Sequence, residues 1–199
     1  MSERDGTNDY SRPRRPESDT VLYLRGLPLD VDQAKQEIKT FLNDGGDFPQ
    51  TLAAAFSAID EVRMEIASLA GDEYGSQSLE MLAHVSAPYS ELASRILLNA
   101  CSGYHLHLAT HRYGSHVVQT ILQLAVSSSS DSDLAFHEES PPFADSSESL
   151  PSLAVLIEGM VEELSPHASQ LAIHVCGSHV LRTLLCVLGG VDLLSLIHI

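Results

Sequence analysis

The chain has no tryptophan and little of the other aromatics, which make up 6% of its 199 residues. That scarcity argues against a sandwich or barrel core, where aromatic and β-branched side chains dominate the pleated faces. Cysteine is scarce too: Cys101, Cys176 and Cys186 are odd in number and follow no framework spacing. No disulfide is expected, and a reducing compartment fits better than secretion. No run approaches the roughly 18 consecutive apolar residues of a membrane span, and the N-terminus carries no apolar signal region. Cations are few, with 11 Lys and Arg against 27 Asp and Glu, a formal charge of -16. This is the wrong sign for loose attraction to phosphate, so any nucleic-acid contact must be local. The signatures G-x-S-x-G, H-E-x-x-H, C-x-x-C and a Gly-rich phosphate loop are all missing, and Ser115 beside His116 is a neighbour pair that a helix turns apart. Neither an enzyme nor a cofactor or small-molecule substrate is expected.

What is present points to helices. Hydrophobic residues make up 44% of the chain and charged ones 19%, within the range of folded proteins, and Leu, Ala and Ser are abundant. Residues 1–19 are polar and punctuated by Pro13 and Pro16, and read as a disordered tail. Its SRPRRP run could touch RNA or an import receptor, but five acidic residues flank it, which favours a solvated tail. Residues 127–151 hold six acids and no Lys or Arg, and read as an acidic loop. Elsewhere apolar residues recur at three and four, predicting helices over 50–70, 89–100, 114–126 and 152–164. Shorter ones are predicted at 31–42, 75–86, 104–111, 168–175 and 178–188.

The chain also repeats itself. Gly75-Ser76-Gln77-Ser78-Leu79-Glu80 matches Gly114-Ser115-His116-Val117-Val118-Gln119 and Gly177-Ser178-His179-Val180-Leu181-Arg182. The glycines are 39 and then 63 residues apart, and removing an acidic loop of about 25 residues brings the second interval near the first. That period predicts an all-α solenoid, in which each unit buries its apolar face against its neighbours. Val117, Val118, Ile121, Leu122 and Ala125 form an inward stripe, as do Leu79, Leu82 and Ala83 in the first copy. In the third, Val180, Leu181, Leu184, Leu185 and Leu188 do so. The triplets Ser76/Gln77/Glu80, Ser115/His116/Gln119 and Ser178/His179/Arg182 are left facing outward. A short hydroxyl, a flat side chain and a long hydrogen-bonding arm at fixed offsets suit reading one base per repeat.

The blocks DEYGSQSLEML (72–82), THRYGSHVVQTIL (110–122) and IHVCGSHVLRTLLCVLGG (173–190) resemble Pumilio-type repeats. More narrowly, they resemble those of the nucleolar protein 9 family, in which the repeats are interrupted by an acidic insertion. The resemblance covers roughly residues 50–190 and implies a right-handed α-solenoid. It implies binding, without catalysis, to precursor ribosomal RNA during small-subunit maturation in the nucleolus, beside the proteins of the pre-ribosomal particle. Carried over, Ser76 and Glu80 resemble a guanine-reading pair and Ser115 and Gln119 an adenine-reading pair. Gln77, His116 and His179 would stack, and Arg182 beside Ser178 departs from the usual Gln or Glu. Family members are longer, so the chain is expected to be an N-terminal piece. Residues 194–199 are what a transposon-end sequencing adapter encodes in frame, and are expected to be non-native.

Three competing readings have weaker support. Residues 22–28 resemble the first strand of an RNA-recognition motif, but no second aromatic strand follows, so an apolar cap over 20–49 is expected instead. Cys101, His105, His107 and His111 suggest a metal run, yet in a helix His105 and His107 point about 200° apart, so no metal site is expected. The strongest alternative is a helical-repeat scaffold whose acidic surface meets a basic protein.

Overall fold

The structure, a computed structural model, describes residues 12–45, 47–127 and 150–190. Among these, all regular structure is helical, as the repeat period predicts. Most of the acidic loop, the first eleven residues of the expected tail and the adapter-like end lie outside the described residues.

Three units follow one pattern, a long helix, a short helix and a third of 13 or 14 residues. They are α3 (Gln50–Glu61), α4 (Ile66–Ala70) and α5 (Glu73–Ser86), then α6 (Glu91–Ala100), α7 (His105–Thr110) and α8 (Gly114–Ser127). The last is α9 (Leu153–Leu164), α10 (Ala168–Ile173) and α11 (Gly177–Gly189). Helices α5, α8 and α11 pack side by side in that order, and α3, α6 and α9 form a second layer behind them. The predicted inward stripes of α5 and α8 are buried throughout. In α11, Val180 and Leu184 are buried, but Leu185 and Leu188 are 60% and 54% exposed, contrary to expectation. They lie on the last described unit, where no later described unit packs over them.

The single helix predicted over 50–70 is broken. A 3-10 turn at Arg63–Glu65 separates α3 from α4, with Val62 and Ile66 buried on either side. Glu65 in this break accepts hydrogen bonds from the Glu17 amide at 2.9 Å and the Thr20 hydroxyl at 3.0 Å. These bonds tie Glu17 and Thr20 to the first unit, so the described end of the expected tail is anchored at Glu17, while Arg12, Arg14 and Arg15 stay exposed. Helix α1 (Ser18–Gly26) occupies the stretch that resembled a strand, and α2 (Val31–Asp44) starts where Asp30 accepts the Gln33 amide at 2.7 Å. Leu24, Ala34 and Ile38 from these two helices close the first unit.

The final unit is tied back across the acidic insertion. The Arg95 guanidinium donates to the carbonyls of Leu150 at 2.6 Å and Pro151 at 2.9 Å, fixing the chain where it re-enters the stack. Glu163 on α9 accepts from His105 Nδ1 at 2.8 Å and from the Gly103 and Leu106 amides at 3.1 and 3.2 Å, capping α7. Burial pushes the Glu163 carboxyl up, but these donors outweigh it and hold it below the usual carboxylate value.

Candidate nucleic-acid interface

In the ladder formed by α5, α8 and α11, the glycine in the first turn of each helix packs against a leucine six positions before it. A Cβ added at Gly75 would meet Leu69 O at 2.7 Å, one at Gly114 would meet Leu108 Cδ2 at 2.9 Å, and one at Gly177 would meet Leu171 Cδ2 at 2.7 Å. None of the three has positive φ, so the glycines serve close approach rather than an unusual backbone.

The residue three before each glycine caps the helix. Asp72 Oδ1 accepts the Tyr74 and Gly75 amides at 3.0 and 2.8 Å. His111 Nδ1 accepts those of Tyr113 and Gly114 at 3.3 and 3.4 Å, and His174 Nδ1 those of Cys176 and Gly177 at 3.2 and 3.1 Å. Two histidines thus do the work of an aspartate, which sequence reasoning missed because imidazole is not among the usual capping groups. Burial, and then the Arg12 charge, hold His111 below its ordinary value; burial, His111 and Arg12 do the same to His107.

The predicted triplets divide by depth. Gln77, His116, His179 and Arg182 are exposed, and Glu80 and Gln119 are half-buried. Ser76 and Ser115, expected outward, are instead 2% exposed, and Ser178 is half-buried. Their hydroxyls donate to the carbonyls three residues back, at 3.0 Å to Glu73, 3.4 Å to Arg112 and 3.4 Å to Val175. A serine in the first turn satisfies itself on nearby backbone and is then covered by its neighbours. Gln119 Nε2 folds onto Ser115 O at 2.8 Å, and Glu80 accepts from Thr120 of the next ladder helix at 3.4 Å. The surface is therefore a row of flat or extended groups, one per helix, flanked by the arms of Glu80, Gln119 and Arg182, the first two of which are engaged in internal hydrogen bonds.

The metal-like run does not converge. Cys101 and His105 are buried, with the Cys101 thiol pushed up to about 12 by burial and by Glu163, whereas His107 and His111 are half-buried on another side with ring centroids 5.6 Å apart. Among the described residues no group of three or more His, Cys, Asp or Glu is placed to hold a metal ion. No helix among them is long and apolar enough to cross a membrane.

Repeated helical units that align one helix apiece in a row, with matched side chains at the same turn, define an α-solenoid of Pumilio-like repeats. Residues 64–196 match the family described as NOP9-like PUF repeat domain, and the chain belongs to it. It is 28% identical to "Nucleolar protein 9" of Komagataella phaffii over 90% of this chain and 31% of that protein. Against the protein of that name from Debaryomyces hansenii it is 26% identical over 70% of this chain and 20% of the relative. For Candida glabrata the values are 25%, 95% and 29%. The chain thus spans about a third or less of the length of the curated relatives it matches.

Proposed function

We propose that the chain is an RNA-binding segment of a nucleolar ribosome-biogenesis protein, one that contacts precursor ribosomal RNA during small-subunit maturation and acts by binding rather than catalysis. The observation that carries this reading is the equivalent exposed placement of Gln77, His116 and His179 on three adjacent ladder helices. Stacking on such groups contributes about 1 to 3 kcal/mol per base, and an edge contact about as much, so a few rungs suffice for binding without an overall basic surface. The exposed Arg182 supplies an edge contact directly, and Glu80 and Gln119 supply theirs once a base displaces the Thr120 hydroxyl and the Ser115 carbonyl. Ser76, Ser115 and Ser178 support the rungs from beneath and reach a base edge only by rotating off their carbonyls. Membership in the repeat family and the names of the nucleolar relatives support the same reading. Proteins of the pre-ribosomal particle are the expected neighbours.

The test is binding of precursor ribosomal RNA fragments by fluorescence anisotropy. His116→Ala combined with Gln119→Ala is expected to weaken binding more than roughly tenfold while leaving helicity intact, in line with the loss of one stacked base and its edge contact. Unchanged affinity would refute the site.

A further inference from the structure

Residues 12–16, part of the SRPRRP run that reads as a solvated tail in sequence, lie beside the starting ends of α5 and α8. Arg12, Arg14 and Arg15 line an open groove together with Tyr74, His107 and Tyr113. Two more arginines flank it: Arg25 sits 4.4 Å above the Tyr74 ring and Arg112 5.3 Å above that of Tyr113. Five of the chain's 11 Lys and Arg residues therefore gather at one edge of a molecule whose formal charge is -16. The segment is held there by the bonds from Glu17 and Thr20 to Glu65. The acids in the groove are Asp72, whose carboxylate caps α5, and Glu73.

We propose that this edge grips the phosphate backbone of a single-stranded RNA whose bases engage the ladder. The inference rests on the RNA-binding reading above and adds a second, sequence-blind contact to it. Cations interleaved with aromatic rings are the chemistry that single-stranded nucleic acid requires, with guanidinium groups for phosphate and ring faces for a base or sugar. His107, His111 and Tyr113 form a run of rings with neighbouring centroids 5.6 and 5.8 Å apart. Position favours continuity with the ladder. Tyr74 precedes Gln77 by three residues, as Tyr113 precedes His116, so each edge ring shares a helix side with the stacking group of its own repeat. An acidic chain that must bind RNA locally gains from such an edge, because it concentrates positive potential where the strand enters.

The experiment compares the wild-type chain, the edge variant Arg12→Ala/Arg14→Ala/Arg15→Ala and the ladder variant His116→Ala/Gln119→Ala. Each binds a ribosomal precursor fragment and unrelated single-stranded RNAs across a salt series, with circular dichroism as the control for folding. The three arginines are exposed, so their loss leaves the fold unchanged. The edge variant is expected to lose roughly tenfold in affinity at low salt for every RNA, and the slope of log K against log salt is expected to fall by about 2, the value for three phosphates on a single strand. The ladder variant is expected to keep the wild-type slope. A wild-type slope and affinity in the edge variant would overturn the edge while leaving the ladder reading standing. Loss in the edge variant with full binding in the ladder variant would support the edge and reject the ladder. Absence of RNA binding by the wild type would overturn both. Displacement of the RNA by polyglutamate at equal charge would also overturn the proposal, marking the surface as a site for acidic proteins.

Discussion

The imidazole of His111 accepts two amide protons at Nδ1 only while that nitrogen carries no proton of its own. Replacing it with Ala removes the cap and is expected to cost about 1 kcal/mol, whereas Asp, which the first repeat carries at this position as Asp72, should restore it. His111 and His107 both titrate below the unfolded value of 6.5 in the native state. The unfolded chain therefore binds more protons between the two values, so the stability these groups contribute is complete above pH 6.5 and declines as pH falls through and below it. The urea midpoint is expected to drop between pH 7.5 and 5.5, and less so in His111→Asp; a pH-independent midpoint would contradict the capping role. Residue directions were partly readable beforehand. The spacing of Val117, Val118 and Ile121 sets which way they point, and they are buried. Spacing gives direction but not depth: Ser76 and Ser115 lie on the turn their register predicts, yet the neighbouring elements cover them, and that depends on contacts distant in sequence.

At the scale of elements, the three leucine–glycine elbows look alike in sequence but are not equally tight. At Gly75 the obstacle nearest an added methyl is a backbone carbonyl, at Gly114 both backbone and side-chain atoms of Leu108 stand within 3.0 Å, and at Gly177 it is the movable end of Leu171. Alanine gains about 1 kcal/mol of helix propensity over glycine, while forced overpacking costs about 1 to 3 kcal/mol. Gly75→Ala is expected to destabilise most, Gly114→Ala less, and Gly177→Ala to be close to neutral, ranked by urea unfolding of the single variants. The reverse order would mean that the elbows are not the tight points. Helix positions were legible because amphipathic periodicity survives in single-sequence form, as in α8 and α9. The break at Arg63–Glu65 was not, since the apolar pattern runs across it and the break depends on burying both Val62 and Ile66.

Among the described residues the molecule is a linear stack in which contacts run mainly between neighbouring units, with the cap helices α1 and α2 packing chiefly on the first. Damage should therefore decay along the stack. Ile38 is 1% exposed beneath the cap, and Ile38→Ala is expected to cost roughly 3 kcal/mol. Hydrogen exchange should accelerate in α1 to α5 and change least in α11, whereas uniform acceleration would show a single cooperative block. The placement of residues 12–17 belongs to this scale as well. Their composition is that of a solvated tail, and the bond that ties their end to the stack, from the Glu17 amide to Glu65, joins residues distant in sequence.

The interval from Leu69 to Gly75 recurs from Leu108 to Gly114 and from Leu171 to Gly177, although the glycines themselves stand 39 and then 63 residues apart. Extra sequence has thus been taken on as freight between units, never inside an elbow. Foreign peptide grafted between α8 and α9 should ride along without altering the gearing of the rungs, while a single residue added within any elbow would jam it.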